Sequence, residues 1–98
     1  MSEESHETIQ REMTTTPEVF SRDLHNAFSD GASGGPLNFV VSHGSAVMNI
    51  LLTPVPDRVI ALMRLPTLHV RIKFTAGNAA ERKAMLKRMD LYMQRGGG

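Results

Sequence analysis

The sequence predicts a small α+β domain with two helices, one or both of which cover the apolar face of an antiparallel sheet. Three observations predict it: apolar residues recur at helical spacing near both ends, they alternate with polar residues in the middle, and glycine- and proline-rich turns separate these segments. The predicted order is α-β-β-β-β-α, with three or four short strands. A chain of 98 residues suffices for one domain with a single, modest core.

The first helix is predicted over residues 17–29. Thr16 suits the N-cap, Pro17 suits the first helical position, and Glu18 places negative charge at the positive end of the helix dipole. Gly31 is typical of a residue just past a helix end. One face of the helix is apolar and carries Phe20, Leu24, Ala27 and Phe28.

The clearest local signal is a β-hairpin, with strands predicted over residues 37–42 and 45–53. The intervening His-Gly pair is expected to form a two-residue turn, because glycine accepts positive φ. This turn would place Ser42 opposite Ser45. In that register one side of the hairpin is purely apolar and holds Leu37, Phe39, Val41, Ala46, Met48, Ile50 and Leu52.

Two further strands are predicted, at about residues 58–65 and at residues 67–75. Pro54 and Pro56 are expected to break the preceding strand, because proline cannot donate to a central ladder. Residues 58–65 also fit a helical pattern, so the sequence leaves strand and helix open there. In the last strand Leu68, Val70, Ile72 and Phe74 point one way, and Thr67, His69, Arg71 and Lys73 point the other.

A second helix is predicted over residues 79–94. Asn78 and Glu81 have the spacing of a capping box, in which each side chain bonds the backbone amide of the other residue. Met85, Met89, Tyr92 and Met93 recur at helical spacing and form its apolar face. Residues 1–14 lack an apolar pattern and are predicted to be a disordered tail; residues 15–95 form the domain, and residues 96–98 form a flexible glycine tail.

Charge is unevenly distributed along the chain. Residues 1–36 hold seven acidic and two basic residues, and residues 37–98 hold three acidic and nine basic ones. This asymmetry indicates either an anionic partner for the basic part or contact between the two parts within the fold.

The residues that carry chemistry are sparse. The chain has no cysteine, which excludes disulfides, thiolate metal sites and a cysteine nucleophile. No two carboxylates have a spacing typical of acid–base catalysis, and no two histidines have the spacing of a local metal pair. We therefore expect no enzyme activity, no cofactor and no metal site, and we assign no catalytic residues.

These observations predict a protein-interaction module, homodimerisation included. Partner contact is expected through the partly apolar second face of the hairpin and the basic row beside it, namely Val40, Val47, Leu51, Arg71 and Lys73. The alternative is a nucleic-acid-binding accessory protein that uses Arg71, Lys73, Lys83 and Lys87. The sequence has neither a long apolar run nor a signal peptide, which favours the cytoplasm and no membrane.

The C-terminal glycines suggest a third function. The run Gly96–Gly97–Gly98 resembles the end of ubiquitin-like carriers, which use a slim glycine tail. That resemblance implies a carrier with a functional C-terminus. Such carriers end on a strand, whereas this chain is predicted to end on a helix.

Overall fold

The α+β class is confirmed, and the sheet has five strands instead of three or four. The structure, a computed structural model, describes residues 8–97, with side chains through residue 93. The elements are β1 (Thr8–Met13), α1 (Pro17–Ala27), β2 (Ala32–Gly34), β3 (Asn38–His43), β4 (Ala46–Ile60), β5 (Met63–Ala76) and α2 (Ala79–Gly97). All pairings in the single sheet are antiparallel, and the strand order is β1-β5-β4-β3-β2.

Both helices begin where their capping residues predict. The Thr16 side chain accepts a hydrogen bond from the Val19 amide at 3.2 Å. At α2, the Glu81 amide donates to the Asn78 side chain at 2.8 Å, and the Asn78 amide donates to the Glu81 carboxylate at 3.0 Å, which completes the capping box. Helix α1 ends at Ala27, two residues before its predicted end.

The predicted tail over residues 1–14 is wrong for residues 8–13, which form β1 and pair with β5. Ile9 and Met13 alternate correctly for an edge strand with one covered face, but Arg11 lies between them and interrupts the apolar pattern. Since β1 pairs with a segment far along the chain, no local signal identifies it. Residues 1–7 lie outside the described residues.

The β3–β4 hairpin forms as predicted, but its register differs. Its turn is Gly44–Ser45, so His43 pairs with Ala46 and Ser42 pairs with Val47. Gly44 adopts φ +65°, the positive value that the turn requires. The shift equals two residues, which preserves the period of the strand and leaves the predicted apolar face unchanged.

The separate strand predicted at about residues 58–65 is wrong, and so is the break at the prolines. β4 continues to Ile60 and β5 begins at Met63, so the predicted strand is the end of a second hairpin that turns at residues 61–62. Pro54 stays in register opposite Leu68, and Pro56 lies in a register shift between Val55 and Arg58. A bulge of this kind removes residues from the ladder, which lets a strand tolerate proline.

The predicted glycine tail also requires correction, because α2 continues to Gly97. Glycine lowers helix propensity by about 1 kcal/mol per residue but does not block the backbone hydrogen bonds, as proline does. Gly98 lies outside the described residues.

The core lies between the two helices and one face of the sheet, which we call the inner face. The predicted apolar sides of β3, β4, β5 and both helices meet there, and the Phe20 ring of α1 lies 5.8 Å from the Phe39 ring of β3. The fully buried large side chains include Phe20, Leu24, Phe39, Met48, Ile50, Ile72, Phe74, Met85 and Met89. Burial of apolar surface stabilises a fold by about 25 cal/mol per Å², so this layer is the main source of stability.

Candidate interaction surface

On the opposite side of the sheet, which we call the outer face, no helix lies within residues 8–97. Strand pairing aligns its side chains in rows: Val40, Asn49, Lys73 and Thr8 form one row, and Leu51, Arg71 and Gln10 form the next. A third row contains Thr53, His69 and Glu12. Because side chains of paired residues lie on the same side of an antiparallel sheet, these rows form one continuous surface.

The structure places all five predicted partner-contact residues on this outer face. Val40 and Leu51 are 42% and 43% exposed, and Val47 is half-buried. Arg71 pairs with Leu51 across β4 and β5, and Lys73 pairs with Asn49 one row away. The apolar and cationic residues, which are distant in sequence, are therefore neighbours.

The electrostatics of the outer face are cationic. Arg71 and Lys73 are exposed, and His69 lies in the next row. Glu12 is the acidic member of these rows, and its carboxylate accepts a hydrogen bond from Arg58 at 2.7 Å and lies 3.9 Å from the His69 ring. The ion pair with Arg58 offsets the negative charge of Glu12, so the positive charges dominate.

A shallow depression of about 400 Å³ lies on this side of the sheet, where β1, β5 and β4 adjoin. Glu12, Leu51, His69 and Arg71 are among the residues that line it. It is open to solvent and has a mixed lining of apolar, polar and charged residues. A depression of this shape suits a protruding side chain of a partner better than an enclosed small molecule.

The four residues predicted for nucleic-acid binding do not share a surface. Arg71 and Lys73 lie on the outer face, whereas Lys83 and Lys87 are exposed on α2, which packs on the inner face. In the described part of the chain the outer face carries no phenylalanine or tyrosine ring, because all four phenylalanines are buried in the core and Tyr92 belongs to α2.

Sequence reasoning missed the contribution of β1 to this surface. Thr8, Gln10 and Glu12 complete the rows, and Glu12 brings Arg58 and His69 together. The available signal is the alternation of Ile9, Arg11 and Met13 with polar residues. Arg11 hides this alternation, because a charged residue is not expected on the covered side of a strand. The structure explains its position, since the Arg11 guanidinium pairs with Asp90 of α2.

Three polar residues of α1 and the hairpin turn have partners of their own. The His25 ring contacts the Ser21 carbonyl at 2.8 Å, and the His43 ring packs against Phe28 with centroids 5.5 Å apart. The buried carboxylate of Asp23 lies 3.3 Å from the Arg22 guanidinium. Within residues 8–97 the structure has no group of three or more histidine, aspartate or glutamate side chains that could hold a metal ion.

Comparison with known proteins adds no assignment. No protein-family model matches the sequence, and no curated protein is significantly similar to it. Within the described residues, neither helix is long and apolar enough to cross a membrane. Functional inference therefore depends on the geometry and chemistry of the surface itself.

Proposed function

We propose that this protein is a non-catalytic interaction module whose outer face binds an acidic surface of a protein partner. The observation that carries this proposal is the row pairing of exposed Leu51 with Arg71, beside Val40 and Lys73. An apolar centre with a charged rim is the usual composition of a protein interface.

The two kinds of residue have different roles in this proposal. Val40 and Leu51 supply apolar surface, whose burial gives affinity. Arg71 and Lys73 attract an acidic partner, increase its association rate and fix its orientation. The contact should therefore weaken as ionic strength rises, because salt screens exposed charges.

The charge of the outer face argues against two other occupants. A second copy placed face to face would bring Arg71 and Lys73 against the same cations, and such like-charge contacts are unfavourable. A nucleic acid would meet Arg71 and Lys73 without Lys83 and Lys87, and among the described residues it would find no phenylalanine or tyrosine ring for base stacking on this face. An acidic protein surface can offer carboxylates to Arg71 and Lys73 and apolar side chains to Val40 and Leu51.

Site-specific photo-crosslinking tests the proposal. A photo-reactive amino acid is placed at Leu51, and a matched variant carries it at Ala80, which is exposed on the helix layer. Irradiation of cells that express each variant should give a discrete protein adduct from position 51 and none from position 80. Adding Arg71→Glu and Lys73→Glu should abolish the adduct while the circular dichroism of the purified protein is unchanged.

Three outcomes would contradict the proposal. These are the absence of an adduct at position 51, equal adducts at both positions, and an adduct that nuclease removes. The last result would favour the nucleic-acid alternative, which a gel shift at low salt tests independently.

A further inference from the structure

The second hairpin extends well beyond the rest of the sheet. β3 pairs with β4 only as far as Leu51, and β1 pairs with β5 only as far as Leu68. The segment from Pro54 to Thr67, which we call the arm, is therefore a two-stranded ribbon, and no other strand of the described residues lies beside it. It contributes to the elongated shape of the molecule, whose extents are 48 × 28 × 21 Å.

The end of the arm is apolar and exposed. Leu62 is 101% exposed, and Val59, Ile60 and Met63 are each more than half exposed; we call these four residues the tip. Most large apolar side chains that are exposed in the described residues lie at this tip. An isolated two-stranded ribbon is only marginally stable in water, and clustered exposed apolar side chains typically mark a contact site.

Two further features favour contact through side chains over addition of another strand. Proline occurs three times in the arm, at positions 54, 56 and 66, and proline lacks the backbone N–H donor that a further strand would need. Ala61 occupies the turn with φ +56°, a conformation that glycine adopts more easily. The edges of the arm are therefore poor templates for a further strand.

The charges of the arm indicate what covers the tip. Asp57 and Arg64 are both exposed near it and have opposite signs, whereas Arg58 is paired with Glu12 at the base. A second arm related by a two-fold axis presents the same two groups in reverse order, so Asp57 of one copy can face Arg64 of the other. The outer face would instead place Arg71 and Lys73 near Arg64. The groove beside Leu91 on α2 is lined by Lys83 and Lys87, and its acidic residue, Asp90, is already paired with Arg11.

We propose that two copies of this chain associate about a two-fold axis through the tips of their arms. The four apolar side chains of each tip pack against those of the other, and Asp57 and Arg64 form reciprocal ion pairs at the edges. Two-fold dimers are the commonest assemblies, and their interfaces are self-complementary in this way. The contact uses neither Arg71 nor Leu51, so it does not depend on the function proposed for the outer face.

The absence of cysteine allows a direct test. Leu62→Cys introduces a single thiol at the tip, and Leu91→Cys introduces one at an exposed apolar position of α2 as the matched control. Under mild oxidation the tip variant should form a disulfide-linked dimer, since a disulfide requires Cα atoms within about 7 Å. The control should stay monomeric under the same conditions.

Light scattering of the chain with its native sequence gives a second measurement. Self-association should increase with concentration, and Leu62→Asp should weaken it about tenfold or more, as loss of a central apolar contact does. Arg71→Glu should leave it unchanged. The proposal is overturned if the native chain is monomeric, if Leu62→Cys does not crosslink, or if Leu62→Cys crosslinks to Leu91→Cys in a mixture instead of to itself.

Discussion

The guanidinium of Arg11 and the carboxylate of Asp90 form a two-pronged ion pair that joins β1 to α2. One nitrogen of Arg11 bonds each carboxylate oxygen, and the second of these bonds is 3.1 Å long. Both side chains are about one-third exposed. The pair connects the edge strand β1 directly to the helix layer. It also gives the positive charge of Arg11, which interrupts the apolar pattern of β1, an acidic partner.

Loss of this pair should loosen β1 first. Asp90→Asn is expected to lower the free energy of unfolding by about 1 kcal/mol, the upper end for a partly exposed pair with bidentate geometry. Chemical denaturation measures this change, and Asp30→Asn in the exposed loop after α1 is the matched control. Amide hydrogen exchange in β1 should accelerate more than in β4. Equal acceleration in both strands would contradict a local role for the pair.

Leu51 and Leu52 are adjacent in β4 and point to opposite faces. Leu52 is 2% exposed and Leu51 is 43% exposed. Leu52→Ala should lower the free energy of unfolding by about 2–5 kcal/mol, because it leaves a cavity in the core. Leu51→Ala should cost less than about 1 kcal/mol and should instead weaken the proposed partner contact. Urea denaturation of the two variants tests the assignment of faces, and equal losses would contradict it.

Acid should weaken the start of α2 through Glu81. Its carboxylate accepts a hydrogen bond from the Ser45 hydroxyl and another from the Asn78 amide, and these bonds lower its pKa below the ordinary value of 4.5. Its contribution to stability is therefore fully present above about pH 4.5 and is lost as the pH falls through the lowered pKa.

Measuring stability against pH for the native chain and Glu81→Gln tests this linkage. The native chain should be the more stable above pH 4.5, and the difference should shrink in more acidic solution. Ser45→Ala should move the pKa of Glu81 back toward its ordinary value, which NMR titration can follow. Parallel stability curves for the native chain and Glu81→Gln across the acidic range would be evidence against the linkage.

The two hairpin turns predict opposite responses to matched substitutions. Ala61 has φ +56° and Gly44 has φ +65°, in the region that side chains disfavour by about 1–2 kcal/mol. Ala61→Gly relieves the disfavoured φ in the folded state but gives the unfolded chain more conformational freedom. The net effect should be a free energy of unfolding that is higher by about 0.5 kcal/mol. Gly44→Ala should lower it by about 1 kcal/mol. Thermal denaturation measures both, and a change of the same sign in both variants would contradict this interpretation.

The sequence alone was enough to predict most residues of the core and the side of β3, of β5 and of the first part of β4 that they occupy. Phe39, Ile50 and Phe74 are buried as their alternation predicts, because period two assigns a face even when the register is wrong by two residues. The caps at Thr16 and Asn78 were equally predictable, since each depends on residues within one helical turn. The five predicted partner-contact residues lie on the face opposite the core, because side chains alternate between the two faces along each strand.

Only the tertiary structure decided the role of β1 and the extent of the arm. β1 pairs with a strand some sixty residues away, and neither its charge nor its length shows this pairing locally. The turn at Ala61 lacks the glycine or asparagine that normally marks positive φ, so the apolar run through it resembled one continuous element. The physical reason is common to both: long-range pairing and packing determine the backbone conformation where neighbouring residues express no strong preference.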